Sequence, residues 1–217
     1  MPEIEGFILA GGASSRMGDD KAHLRLGERT LVERAAAALG GVAGRVSVVS
    51  SKPDAAAFGL PVVPDLFVGR GAMGGLHAAL AHGSAEWALI LSCDLPFVTA
   101  ALCARLISLR GPDADAVAPL QPDGRPQPLC ALYARAACLP VVEELLRAGE
   151  LRPRALLTRV RTRWVTFAEV ADLDGSEDFF RNVNTPEDFN EACRIVGQKP
   201  GGEGGVLKSP SRESDGT

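Results

Sequence analysis

The 217-residue chain lacks the features that mark several functional classes. Its five cysteines are scattered and form no C-x-x-C pair, which argues against a disulfide framework and a zinc site and fits a reducing cytoplasm. No apolar run approaches the roughly 18 residues that a membrane span needs, and no basic segment typical of a secretory signal begins the chain. The sequence therefore predicts a cytoplasmic protein with no membrane partner.

The chain also lacks a net positive charge, and its aromatic side chains are few. The formal net charge is -4, and the chain has 8 Phe, 2 Trp and 1 Tyr, so neither overall charge nor an aromatic platform favours a nucleic-acid partner. Arginines do concentrate in residues 151–163. That run is typical of a solvated helix face leading into a strand. The alternative is an anion-binding flank for an acceptor phosphate or for a partner protein.

Short apolar runs alternate with alanine-rich helical segments along residues 1–197. This alternation predicts a doubly wound, Rossmann-like α/β domain with a mostly parallel sheet and a mixed edge in its second half, formed by ADAVAPL and LCALYAR. Residues 198–217 hold too little apolar surface to offset the entropy of ordering and predict a disordered tail. The predicted strands are 6–10, 45–50, 60–63, 87–92 and 163–170, and the predicted helices are 30–41, 74–83, 99–111, one near 137–148 and one from Pro186.

A glycine-rich loop, Gly11 to Lys21, follows the first predicted strand. Its spacing fits neither G-x-x-x-x-G-K-[ST] nor G-x-G-x-x-G, the two best-known phosphate loops. Ligands of α/β sheets bind at the carboxyl ends of strands, where glycines let backbone N–H groups approach an anion closely. Together with the cations Arg16 and Lys21, the loop favours a polyphosphate ligand. The alternative is a surface turn whose cations face water.

Asp94 follows the apolar strand WALILS within two residues. A carboxylate at the end of a buried strand is costly unless it is hydrogen-bonded, paired or bound to a metal. Because Mg²⁺ commonly takes one or two carboxylates plus the substrate's phosphates, Asp94 is a candidate magnesium ligand, and a turn or capping aspartate is the alternative. Asp65 repeats the pattern after the strand 60–63 and is a second candidate polar contact.

Four motifs, in this order, resemble those of small nucleotidyltransferases. LAGGASSRMGDDK resembles their N-terminal signature L-A-G-G-x-S-x-R-M-G-x-D-K, and SCDLPFV resembles their metal-binding strand end. GRGAMGGLHAAL resembles their glycine loop and helix, and FFRNVNTPEDF resembles the closing motif of the MobA-type molybdenum cofactor guanylyltransferases. The resemblance covers roughly residues 4–196. It implies a Mg²⁺-dependent enzyme that transfers GMP from GTP to molybdenum-bearing molybdopterin and releases pyrophosphate.

The resemblance also assigns roles to single residues. It implies that Arg16, Lys21 and Asp94 are catalytic, that Asp94 and Asn184 bind the metal, and that Asn182 and Asn184 lie near the acceptor. Ser50 or Ser51 stands where the family has an asparagine after the second strand. The nucleotide-binding positions that it implies are Leu9, Ala10, Gly11, Gly12, Arg16, Gly18, Lys21, Asp65 and Asp94.

Three other functions are alternatives to the predicted guanylyltransferase. A cytidylyltransferase of the same pathway would carry L-A-A-G where this chain has L-A-G-G. Another small-molecule nucleotidyltransferase would share the general motifs. A non-catalytic nucleotide-binding adaptor would be favoured by loss of Lys21 or Asp94, and both residues are present. Beyond GTP and molybdenum-molybdopterin, the resemblance suggests molybdoenzymes or their chaperones as partners.

Overall fold

The computed structural model describes residues 4–10, 21–67 and 69–197. The predicted phosphate-loop residues Gly11, Gly12, Arg16 and Gly18 lie outside these residues, as does the predicted tail, so the division into a domain and a disordered tail stays a prediction. No helix in the described part of the chain is long and apolar enough to cross a membrane.

The described residues form one seven-stranded sheet and a small hairpin. The strands are β1 Ile4–Leu9, β2 Arg25–Leu26, β3 Arg29–Thr30, β4 Arg45–Val49, β5 Val62–Val63, β6 Trp87–Ser92, β7 Ala116–Pro119, β8 Cys130–Ala134 and β9 Thr162–Val165. The large sheet has the order β5-β4-β1-β6-β8-β7-β9, and β2 pairs with β3. Neighbours from β5 to β6 are parallel, β8 is antiparallel to both β6 and β7, and β9 is parallel to β7.

The predicted α/β sheet with a mixed second half is confirmed. Its antiparallel strand β8 lies inside the sheet rather than at the margin, because β7 and β9 continue the sheet beyond it. All side chains of β1 and β6 are buried, as expected for strands that helices cover on both faces. The carboxyl ends of β5, β4, β1 and β6 therefore meet along one edge.

Helices cover both faces of the sheet. Apolar side chains of α1, α3 and α6 join one hydrophobic core, and those of α2, α4 and α5 join the other. The bounds are α1 Leu31–Gly40, α2 Gly71–His82, α3 Ala100–Ser108, α4 Arg135–Arg147, α5 Arg154–Arg159 and α6 Pro186–Ile195, with 3₁₀ helices at Lys21–His23, Pro53–Phe58 and Phe167–Glu169.

Local capping signals explain where three helices begin. Thr30 caps α1 and Thr185 caps α6, in each case reciprocally with the acidic residue three positions later. The Thr99 hydroxyl accepts a hydrogen bond from the Leu102 N–H at the start of α3. The predicted helix start at Pro186 is thus confirmed.

Several predicted element boundaries are wrong by two residues or more. Helix α3, predicted over 99–111, ends at Ser108, and the strand predicted over 60–63 covers only Val62–Val63. Helix α2 begins at Gly71, three residues before the predicted start, and includes Gly74. Only glycine fits at position 74, because a Cβ there would lie 2.9 Å from the Phe67 carbonyl oxygen. The strand predicted over 163–170 ends at Val165. Glu169 accepts hydrogen bonds from the N–H and the hydroxyl of Thr166, and this closed turn starts a 3₁₀ helix instead.

Candidate active site at the carboxyl edge of the sheet

The ends of three neighbouring strands are joined by backbone hydrogen bonds where β1 leaves the sheet. The Ala10 N–H donates to the Val49 carbonyl (3.1 Å), and the Cys93 N–H donates to the Leu9 carbonyl (3.2 Å). Leu9 and Ala10 are both buried, and the Leu9 side chain packs close to Gly75 of α2. The backbone is therefore held in place at Leu9 and Ala10, directly before the glycine-rich loop in the sequence.

Asp94 lies on this edge, two residues beyond β6, and one of its oxygens lacks a partner. Oδ1 is buried and accepts no hydrogen bond from any of the described residues. Burial raises the pKa of Asp94, and contact with the Ser92 side chain and the charge of Lys21 oppose the rise without cancelling it. A buried carboxylate oxygen without a donor is unfavourable by itself, so this atom is suited to a cation.

Lys21 and Asn184 meet beside Asp94, although 163 positions separate them in the sequence. Lys21 Nζ donates to Asn184 Oδ1 at 2.8 Å. The Val183 N–H donates to the Asp94 carbonyl at 2.9 Å, which fixes the Asn184 segment against the end of β6. The structure thus brings three of the predicted site residues together: a cation, a carboxylate and an amide.

Asp188 holds Asn184 in place in addition to capping α6. Its Oδ2 accepts hydrogen bonds from the N–H groups of Asn184 and Thr185, each at 2.9 Å. Burial alone would raise the pKa of Asp188, but these hydrogen bonds outweigh it and the pKa is lowered. The sequence N-T-P-E-D carries the signal, because an acidic residue three positions after a capping threonine points back at the preceding backbone.

Asn182 is half-buried on the same segment, and its Nδ2 makes a long contact of 3.5 Å with the Phe180 carbonyl. No described contact joins it to Lys21 or Asp94. Its predicted role at the acceptor therefore stays a prediction.

Asp65 is positioned at a different point of the edge. Its Oδ1 accepts a hydrogen bond from the Phe67 N–H at 2.9 Å, and a Cβ on Gly74 would lie 3.0 Å from the same oxygen. The Ser51 hydroxyl lies 3.5 Å from the Asp65 carbonyl, whereas the Ser50 hydroxyl accepts from the Lys52 N–H. Because β4 and β1 separate β5 from β6, Asp65 does not join the Lys21–Asp94–Asn184 group. Its predicted nucleotide contact is untested.

The arginine-rich segment 151–163 forms α5 and enters β9, as its solvated-face interpretation predicts. Four of its arginines contact carboxylates within the protein, which leaves less charge free for an external anion. The pairs are Arg152–Glu150 (2.5 Å), Arg159–Glu144 (3.1 Å), Arg161–Asp115 (2.7 Å) and Arg163–Glu169 (2.5 Å).

The cysteines are buried thiols. All five are buried, and none forms a disulfide. Burial raises the pKa of Cys103 and of Cys138 to about 12, so neither is a thiolate at neutral pH. Within the described ranges no group of three or more His, Cys, Asp or Glu side chains could hold a metal ion. The remaining donor set, Asp94 and the Asn184 amide oxygen, suits an ion that also takes ligands from its substrate.

Comparison with known proteins gives matches over most of the chain. The family model described as MobA-like NTP transferase domain matches residues 6–163. A probable molybdenum cofactor guanylyltransferase from Pelotomaculum thermopropionicum is 35% identical over 88% of this chain and 93% of that protein. A molybdenum cofactor guanylyltransferase from Desulfosudis oleivorans is 33% identical over 88% of this chain and 95% of that protein.

A solved structure is also similar. The crystal structure of molybdopterin-guanine dinucleotide biosynthesis protein A from Archaeoglobus fulgidus has a TM-score of 0.76 and 25% identity. The match covers 89% of this chain and 98% of that one.

Proposed function

This chain belongs to the MobA-like NTP transferase family, and we propose that it is a molybdenum cofactor guanylyltransferase. In this reaction GMP passes from GTP to the terminal phosphate of molybdenum-bearing molybdopterin, and pyrophosphate leaves. The observation that carries the proposal is the meeting of Lys21, Asp94 and Asn184 at the carboxyl edge of the sheet. The presence of both Lys21 and Asp94 argues against a non-catalytic adaptor.

The reaction suits a site with charged groups and no protein nucleophile. An oxygen of the acceptor phosphate bonds to the α-phosphorus of GTP, while the bond from that phosphorus to the pyrophosphate oxygen breaks. Both partners are anions, so catalysis depends on positioning them and neutralising their charge. Lys21 supplies positive charge beside the end of β6, and we assign it to the triphosphate together with Gly12, Arg16 and Gly18 of the glycine-rich loop.

Mg²⁺ is the cofactor that we propose, held by Asp94 and Asn184. The buried Oδ1 of Asp94 has no donor in the described part of the chain, and Asn184 presents an amide oxygen nearby. When bound, the ion would neutralise charge on the phosphates. Lys21 donates a hydrogen bond to the amide oxygen of Asn184, and its positive charge acts on the Asp94 carboxylate.

The remaining assignments concern the guanine and acceptor sides of the site. We assign Leu9, Ala10 and Gly11 to the guanine side, as the resemblance to the family implies. Asn182 and Asn184 belong to the acceptor side, on the segment that Val183 fixes to Asp94. The lack of disulfides among the five cysteines supports a cytoplasmic location, and molybdoenzymes or their chaperones are the partners that would receive the product.

A product assay tests this proposal. The purified protein is incubated with molybdenum-molybdopterin, Mg²⁺ and one nucleoside triphosphate at a time, and the product is identified by its mass. We expect the guanine dinucleotide from GTP, with little product from CTP, ATP or UTP. A cytosine dinucleotide as the main product would identify a cytidylyltransferase, and absence of any dinucleotide would contradict the enzymatic assignment.

A further inference from the structure

Arg34 of α1 makes hydrogen bonds to two chain segments that lead to the candidate active site. Its Nε donates to the carbonyl oxygen of Pro96 at 2.9 Å, and its Nη1 donates to the carbonyl oxygen of Leu26 at 3.3 Å. Pro96 comes two residues after Asp94, and Leu26 lies in β2, shortly after Lys21. One guanidinium group therefore connects the two segments.

Both segments are short turns that follow the proposed site residues directly. On the lysine side, the Leu24 N–H donates to the Lys21 carbonyl at 3.1 Å, and the Leu31 N–H donates to the Leu24 carbonyl at 2.9 Å. On the aspartate side, the Leu95 N–H donates to the Ser92 carbonyl at 3.2 Å. A displacement of either turn would therefore move Lys21 or Asp94, because only a few bonds separate them from the turns.

The charge of Arg34 has no carboxylate partner among the residues that the structure describes. The side chain is half-buried, its guanidinium lies 6.0 Å from the centre of the Phe97 ring, and burial and the nearby Arg29 lower its pKa. Burying part of this charge costs free energy that no carboxylate offsets, so stability alone does not explain the position of the side chain. Its planar fork does suit two acceptors on different segments, which neither Lys nor Gln can contact in the same geometry.

We propose that Arg34 is a positioning residue that sets the spacing between the Lys21 segment and the Asp94 turn. This inference rests on the proposed function, in which Lys21 acts on the triphosphate and Asp94 on the metal. Arg34 itself touches neither substrate nor metal. Loss of the bridge should misplace groups that act in the transition state, which lowers kcat more than it weakens binding of GTP.

Arg110 provides a matched control at the opposite edge of the sheet. It is also half-buried, its Nε donates to the Ile107 carbonyl at 2.9 Å, and its guanidinium lies 5.9 Å from the centre of the Trp87 ring. Trp87 is the first residue of β6, whereas Asp94 follows the last. Arg34→Gln and Arg110→Gln therefore each remove a half-buried guanidinium, one beside the site and one far from it. Arg110 bonds only within its own turn, and its buried Nη1 has no partner among the described residues, so it bridges no segments.

The experiment compares these variants and Arg34→Lys in steady-state kinetics and thermal unfolding. We expect Arg34→Gln to lower kcat about tenfold to 100-fold with the KM for GTP changed less than about threefold, and Arg34→Lys to lose less. Arg110→Gln should keep kcat, whatever its effect on Tm. A wild-type kcat in Arg34→Gln, or an equal loss of kcat in Arg110→Gln, would overturn the proposal. If Arg34→Gln does not fold, Arg34→Lys decides, and full kcat in that variant overturns it.

Amide hydrogen exchange gives a readout that needs no substrate. Exchange at Leu95 and Leu31 should accelerate in Arg34→Gln and stay unchanged in Arg110→Gln. Wild-type protein assayed in parallel with each nucleotide separates this inference from the proposed function. A preference for a nucleotide other than GTP would refute the proposed function, and the kinetic comparison would then use that nucleotide. Unchanged exchange in Arg34→Gln would refute the bridge itself.

Discussion

The two edges of the sheet treat buried carboxylates in opposite ways. At the amino edge, Glu5 of β1 is 7% exposed and accepts hydrogen bonds from the Ser84 N–H (2.7 Å), the Ser84 hydroxyl (2.9 Å) and the Ala85 N–H (3.3 Å). At the carboxyl edge, Asp94 Oδ1 is buried and receives no hydrogen bond from the described residues. The described residues supply three hydrogen-bond donors to the Glu5 carboxylate and none to Oδ1 of Asp94.

The pKa values of the two groups express the same difference. Burial alone would raise the pKa of Glu5, but the donors at Ser84 and Ala85 and the charge of Arg45 outweigh burial, so the pKa is lowered. For Asp94 burial outweighs the Ser92 contact and the charge of Lys21, so the pKa is raised. A carboxyl group whose buried oxygen lacks a donor at the carboxyl edge is a functional candidate, whereas a buried carboxylate with three donors is structural.

Of the substitutions that distinguish the two edges, Asp94→Asn should have the largest effect on activity. It keeps the shape of the side chain and removes the charge that we assign to Mg²⁺, so kcat should fall by at least about 100-fold. Folding should be retained, because the lost oxygen accepts no described hydrogen bond. Turnover at limiting Mg²⁺ and thermal unfolding check both parts. Near-normal turnover would show that Asp94 is an ordinary turn residue.

Lys21→Ala should weaken the action on the triphosphate without weakening the fold. Its described hydrogen bond reaches an exposed amide, and surface substitutions of this kind change stability by about 0.5 kcal/mol or less. The Tm of the free protein should therefore stay nearly constant, while most of the rise in Tm caused by GTP is lost. Differential scanning calorimetry with and without GTP measures both. A free protein that melts many degrees lower would make Lys21 structural.

Glu5→Gln is the complementary change at the amino edge. The amide group of glutamine can accept at one oxygen only, so at least one of the three hydrogen bonds from Ser84 and Ala85 to this side chain is lost. The expected destabilisation is about 1–3 kcal/mol, with kcat within about twofold of wild type at a temperature where both proteins are folded. Denaturant unfolding and the transfer assay test this. A large loss of kcat in the folded variant would contradict the division between the two edges.

Features that are encoded by neighbouring residues could be predicted from the sequence. The buried strands β1 and β6 are continuous apolar runs, and the caps at Thr30 and Thr185 are short local patterns. The position of Asp94 at a strand end could be predicted from the point where the apolar run WALILS ends. Each of these follows from a preference that few residues determine, so tertiary context did not override it.

Features that depend on partners far apart in the sequence could not be predicted in the same way. The Lys21–Asn184 contact and the insertion of β8 between β6 and β7 are set by tertiary packing. The close approach of Gly74 in α2 to the Phe67 carbonyl is also a packing contact, while glycine in the sequence alone predicts a helix end. The end of β9 had a readable signal in Thr166 and Glu169, and apolar content was given too much weight there.

The smallest expected effect concerns the pH dependence of the Glu5 contribution. Because the pKa of Glu5 is lowered in the folded protein, ionised Glu5 stabilises the fold above its ordinary value of 4.5, and this contribution is lost as the pH falls through the lowered value. The Tm difference between wild type and Glu5→Gln should therefore be largest near neutral pH and should shrink in acid. Calorimetry from about pH 7 to about pH 3 measures it. The exposed Glu177 supplies the control variant Glu177→Gln, whose Tm should follow that of wild type throughout. A difference that grows in acid would show that hydrogen bonds to the ionised carboxylate do not stabilise this edge.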